Sequence, residues 1–403
     1  EFSAKLRIIK KDADTGKTVL IPNTEFKIYN LDKKEYVSMT TTYPSKVTHT
    51  SFFTDEDGDL ILPDVLNVGN YRIEEIAAPY GYVLNENYVE VAVDSDTFYE
   101  VDQDTYEAII TIDYEDQPEF GELTIIKKGE VLDSDEKTFI YREGTLAGAK
   151  FEVYAAEDIY TADMQLDENG NRTKYYSKDE LVATLVTGKD GKATLKDLPL
   201  GNYKIVEVEA PFGYVLNKDE QVVTFRYVDD KTPVVYETST FADERQKFNL
   251  FVNKLDAETK KPVPGAVFGL YADEDIKNVD GKVIVEAGTL LETATSDEYG
   301  LVRFVKDYPF AKYSAKELTA PAGYVSSDKV VTFEPEYAGQ EVDNFAIQYD
   351  YANTPTSFEF SKVDITSGAE LSGATLSVID KGGNVIETWT SVAGEKHVIK
   401  KLV

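Results

Sequence analysis

At 403 residues the chain is too long for one ordinary hydrophobic core, and three or four domains of roughly 100–150 residues are expected. A formal charge of -32 excludes nucleic acid as a partner, whose phosphates it would repel, and argues against attraction to anionic lipid. Cysteine is absent, which excludes disulfides and thiol chemistry, and no apolar run is long enough to cross a membrane or form a secretory leader, so the chain reads as soluble as given.

The apolar runs are short and alternating, and threonine, valine and tyrosine are abundant, which predicts an all-β fold. Glu1-Phe2 reads as a cloning remnant. The first strand, Lys5-Leu-Arg-Ile-Ile-Lys-Lys-Asp12, runs into an Asp/Gly turn at Gly16. Similar openings start at Leu123, Leu250 and Phe358, and in register they place Lys10, Lys127, Lys254 and Lys362 in one column. Counting back by two from each lysine, the period of a strand, reaches only apolar residues: Ile8 and Leu6, Ile125 and Leu123, Val252 and Leu250, Phe360 and Phe358. The lysine is therefore expected on the core face.

A second strand follows each opening, for example Thr24-Glu-Phe-Lys-Ile-Tyr29, and then polar insertions of unequal length. Asp55-Glu-Asp57-Gly-Asp59 resembles the start of a calcium loop, but no glutamate stands at the bidentate position, and a hairpin turn is expected. Next comes a box that recurs three times: Tyr71-Arg-Ile-Glu-Glu-Ile-Ala-Ala-Pro-Tyr-Gly-Tyr82, then Tyr203 to Tyr214, then Tyr313 to Tyr324. The same count by two sets Glu75, Glu207 and Glu317 on the apolar side and predicts that Arg72 and Glu74, Lys204 and Val206, and Ser314 and Lys316 mostly face water.

Each repeat closes with an alternating strand that ends in an inward Asp116, Asp243 or Asn353. The count back from Asp243 meets Phe241 and then Ser239, a weaker pattern than Tyr114 and Ile112 before Asp116. The fourth repeat reaches Val403 without a box or a closing strand. The expected domains are 1–118, 119–245, 246–355 and an incomplete 356–403, joined by short proline linkers at Pro118 and Pro355 that limit bending.

Three times, then, a lysine, a glutamate and an Asp or Asn are aimed at one core. In a dry interior lysine tends to lose its proton and glutamate to keep one, giving an amine nucleophile and a carboxylic acid able to polarise a carbonyl. Held in contact, such groups can form an amide between lysine and Asp/Asn, with the glutamate as catalyst. A non-covalent buried ion pair is the competing reading, weakened because apolar residues are often as stable there.

On these residues the chain resembles the collagen-adhesin B-type and SpaA-like (prealbumin-like) domains of Gram-positive surface proteins and pilins. The Glu-x-x-Ala-Pro-x-Gly-Tyr box carries the resemblance through three repeats and the lysine through a fourth. It implies tandem Ig-like β-sandwiches in a rod, with Glu75, Glu207 and Glu317 catalytic. The crosslinks implied are Lys10–Asp116 and Lys127–Asp243, each releasing water, and Lys254–Asn353, releasing ammonia. Lys362 is left as an unpaired lysine of the reactive type in a repeat expected to stay uncrosslinked.

The implied role is a stalk segment of a cell-wall-anchored, extracellular adhesin or pilus-like fibre. It is no enzyme beyond one autocatalytic turnover, has no cofactor or metal, and has neighbouring domains of the fibre as partners. The alternatives are a ligand-binding adhesin that meets a host surface or matrix through its insertions, or a sortase-polymerised pilin. The two histidines, His49 and His397, lie in different repeats and suggest neither a triad nor a metal site; both are expected at the solvated surface.

Overall fold

Alternation along Ser3–Asp12 puts Ala4, Leu6, Ile8, Lys10 and Asp12 on one buried face, as the two-residue strand period requires. A computed structural model describes all 403 residues, and its regular structure is entirely β. The strand Ser3–Asp12 lies inside a sheet, antiparallel to Asp59–Ile61 on one side and parallel to Ala108–Asp116 on the other. Phe120–Asp135 has the same neighbours in Lys192–Pro199 and Val234–Asp243, and Lys247–Asp256 has them in Leu301–Phe304 and Asn344–Asn353. The opening and closing strands of each repeat are thus parallel partners.

A second sheet faces the first. In it Glu25–Asn30 pairs antiparallel with Gly69–Ala77, Lys150–Ala155 with Gly201–Glu209, and Val267–Ala272 with Tyr313–Thr319. Each sandwich closes over its own core. Ile8, Phe26, Ile73 and Tyr114 belong to the first, Ile125, Phe151, Ile205 and Phe241 to the second, and Val252, Phe268, Ala315 and Tyr351 to the third. Burying each large apolar side chain contributes about 1.5–3 kcal/mol.

The chain divides into two compact units. One comprises Glu1–Gly129, Thr145–Pro211 and Leu216–Asp243 and contains the first two cores. The other comprises Glu130–Gly144, Phe212–Val215 and Glu244–Val403 and contains the third. Within this second unit Phe139 is buried against Tyr308, with ring centroids 5.8 Å apart. Residues 356–403 form two small antiparallel pairs, Ser357–Phe360 with His397–Lys400 and Thr375–Ile379 with Val385–Thr390.

Two local expectations change. Glu74 does not face water: Tyr36 Oη donates to it at 2.9 Å, Arg72 Nε donates at 2.8 Å, and Arg72 in turn lies over the rings of Tyr29 and Tyr88. Aromatic side chains cover that outer face. Ser314, opposite Tyr271, is buried as well. At 55–59 the Asp55 carboxylate accepts the amides of Asp57 and Asp59, forming a tight turn. Gly58 is required there, since a Cβ would stand 2.0 Å from the Val19 carbonyl oxygen.

Candidate functional site

One register recurs in all three sandwiches. Lys10 pairs with Tyr114 and Asp12 with Asp116; Lys127 pairs with Phe241 and Gly129 with Asp243; Lys254 pairs with Tyr351 and Asp256 with Asn353. Because inward residues alternate, the lysine and the acid or amide are neighbours on one face of the first sheet. Asp243 occupies the same place as Asp116 despite its weaker sequence pattern.

The glutamate arrives from the facing sheet, with Glu75 opposite Phe26, Glu207 opposite Phe151 and Glu317 opposite Phe268. Directly after each glutamate the pairing slips by one residue, leaving Ile76, Val208 and Leu318 as bulges. A bulge bends the strand and re-aims its side chains. The period-2 count did not anticipate it; its only trace in the sequence is one apolar residue in the outward position after each glutamate.

In the first sandwich Lys10 Nζ lies 2.8 Å from Glu75 Oε1 and also contacts Asp116 Oδ1, and all three side chains are wholly buried. The Tyr114 ring packs on the ammonium at 4.7 Å. Burial pushes the Asp116 carboxyl up to about 8; Lys10 opposes the rise and the adjoining Glu75 adds to it. In the second sandwich Lys127 Nζ contacts both Glu207 and Asp243, again with no exposure. Here burial and the hydrogen bond with Asp243 push Glu207 up to about 8. Each carboxyl pair holds a proton near neutral pH.

The third site differs. Asn353 Nδ2 donates to both Glu317 oxygens at 2.8 Å, and Lys254 Nζ turns to the Leu255 carbonyl at 3.3 Å. Burial holds the Lys254 ammonium below the ordinary lysine range, against the pull of Glu317 and Asp256.

Sequence reading passed over the tyrosine that ends each box. Tyr82 Oη donates to Asp12 at 2.6 Å and Tyr324 Oη to Asp256 at 2.8 Å, and each aspartate also accepts two amides of the following turn. Those turns end the first and third opening strands. With Gly129 in that position, the second opening strand continues to Asp135.

Lys362 is exposed and not on a covered face, because Ser357–Phe360 pairs only with His397–Lys400 and no closing strand lies beside it. His49 and His397 are half-buried and not fully solvated: His49 Nε2 lies 3.1 Å from Thr41 Oγ1, and His397 stacks on Trp389 and pairs with Glu387 at 2.8 Å.

The SpaA family model, a prealbumin-like fold domain, matches residues 4–107, 136–240 and 248–344. A collagen adhesin of Staphylococcus aureus is 28% identical over 152 residues, which is 36% of this chain and 13% of that protein. Among solved structures, the Bacillus anthracis TIE protein aligns over 88% of this chain and 51% of its own, with a TM-score of 0.53 and 22% identity. The major pilin subunit BcpA of Bacillus cereus aligns over 88% of this chain and 100% of its own, with a TM-score of 0.30 and 14% identity. The chain thus spans about half of the first of these structures and a small part of the collagen adhesin.

Proposed function

The chain belongs to the SpaA prealbumin-like domain family, and on that premise we propose that it is a load-bearing segment of an extracellular bacterial surface adhesin or pilus-like fibre. Each sandwich is closed by one amide, Lys10–Asp116, Lys127–Asp243 and Lys254–Asn353, with Glu75, Glu207 and Glu317 as catalysts. The observation that carries this reading is the threefold meeting of a lysine, a glutamate and an Asp or Asn at one strand register, buried throughout except for the half-buried Glu317. In bond one, Glu75 takes a proton from Lys10, the amine attacks Asp116 Cγ, and the Asp116 hydroxyl departs with a second lysine proton as water. Bond three is the same attack on Asn353, with the amide nitrogen leaving as ammonia. Glu75 and Glu317 are not consumed.

The strand topology gives the bond a mechanical use. Tension enters at the start of Ser3–Asp12 and leaves at the end of Ala108–Asp116, parallel neighbours pulled from opposite ends. A bond from Lys10 to Asp116 carries the load directly and leaves residues 11–115 off the force path. Stretching single molecules end to end tests this. The parent chain should release almost no hidden length from its three sandwiches, whereas E75A, E207A and E317A should each release one. A parent that unravels fully overturns the proposal.

A further inference from the structure

Each catalytic glutamate is followed by a loop whose backbone amide can reach it, and the three loops differ. Asn85 N donates to Glu75 Oε2 at 2.9 Å and Ser327 N to Glu317 Oε1 at 3.2 Å, but no N–H reaches the buried Glu207 Oε1. The loops otherwise correspond: Asn85 Nδ2 donates to the carbonyl before Asp116, and Asn217 Nδ2 to the carbonyl before Asp243. What separates them is the aromatic residue of the closing strand opposite the lysine. Tyr114 Oη donates to Asn87 O at 2.7 Å, with Asn85 O at 3.0 Å beside it. Tyr351 Oη does the same with Ser327 O and Lys329 O, each at 3.0 Å. Phe241 has no hydroxyl with which to hold its loop.

We propose that Tyr114 and Tyr351 are positioning residues for crosslinking: their hydroxyls draw the loop inward so that its amide stabilises the glutamate as a carboxylate, the form that accepts the lysine proton. This rests on the crosslinking reading above. The charged groups in contact with the glutamates are alike in the two Asp sites, and Asp12, whose place Gly129 takes in the second, is held by Tyr82 and the amides of Asp14 and Thr15. Glu75 is faced by Lys10 and Asp116, Glu207 by Lys127 and Asp243, and Glu317 by Lys254 and Asn353, while Glu74 turns away to Tyr36 and Arg72.

The inference predicts a reciprocal exchange. Full-length chain, synthesised unfolded and refolded at a series of pH values, is quenched over time, and each bond is quantified by mass mapping of its linked peptide. Y114F should slow bond one about tenfold and move its acid limb to higher pH, since Glu75 then gains its proton more readily. F241Y should speed bond two by a similar factor and move its limb down, and bond three should be unchanged in both. Tyr114 and Phe241 are both core residues, so the untouched bonds in the same molecule report correct folding. Bonds that form at parental rates with parental pH profiles in both variants overturn this role alone. A parent chain in which no bond forms overturns the crosslinking reading and this role with it.

Discussion

The first and third sites share a register, a bulge and a glutamate, yet solve the burial of a lysine differently. In the first, two carboxyls and one proton surround Lys10, whose Nζ is in close contact with both acids. In the third, the neutral Asn353 takes the place of the aspartate, Glu317 is engaged by its amide, and burial holds Lys254 below the ordinary lysine range. One scaffold therefore accommodates an acid or an amide beside the buried lysine.

The largest expected effect comes from removing the glutamates. E75A and E317A should each abolish their bond and lower stability by about 4–5 kcal/mol, the value for opening a closed loop of roughly 100 residues. E317A should be the more damaging, since E75A leaves Lys10 paired with Asp116 while E317A leaves Lys254 only the pull of Asp256. Denaturant unfolding beside peptide mapping measures both.

Next is pH. Asp116 is reactive as the neutral acid, so bond one should slow as pH rises through about 8, whereas bond three should show no such alkaline loss. Before the bond forms, the raised Asp116 also stabilises the fold below its unfolded value of about 4, and that contribution disappears as pH rises through about 8. N353D should transfer the alkaline loss to bond three and change its leaving group from ammonia to water, both read by the same mapping. The smallest effects belong to the box tyrosines. Y82F should cost about 1–2 kcal/mol by removing a donor from buried Asp12, and Y324F less, because Asp256 keeps Lys401 at 3.1 Å; thermal unfolding distinguishes them.

Much of this site was legible because strands have period two. That count alone brings Lys10, Glu75 and Asp116 into one core, and the recurrence of the box divides the chain into sandwiches. What stayed hidden depends on contacts between strands. The bulges at Ile76, Val208 and Leu318 appear only when two strands are paired, and the burial of Glu74 depends on tyrosines from other strands. The continuation of the second opening strand to Asp135 hangs on one substitution, Gly129 at the place of Asp12 and Asp256. Lys362 fits the lysine column and is nevertheless exposed, because a column fixes which face a residue occupies and not whether another strand covers it.

Intact-protein mass tests the central claim most directly. Three completed bonds make the purified chain lighter than its sequence by two waters and one ammonia, with the losses mapping to Lys10–Asp116, Lys127–Asp243 and Lys254–Asn353 and none to Lys362. A mass equal to that of the sequence would contradict the account.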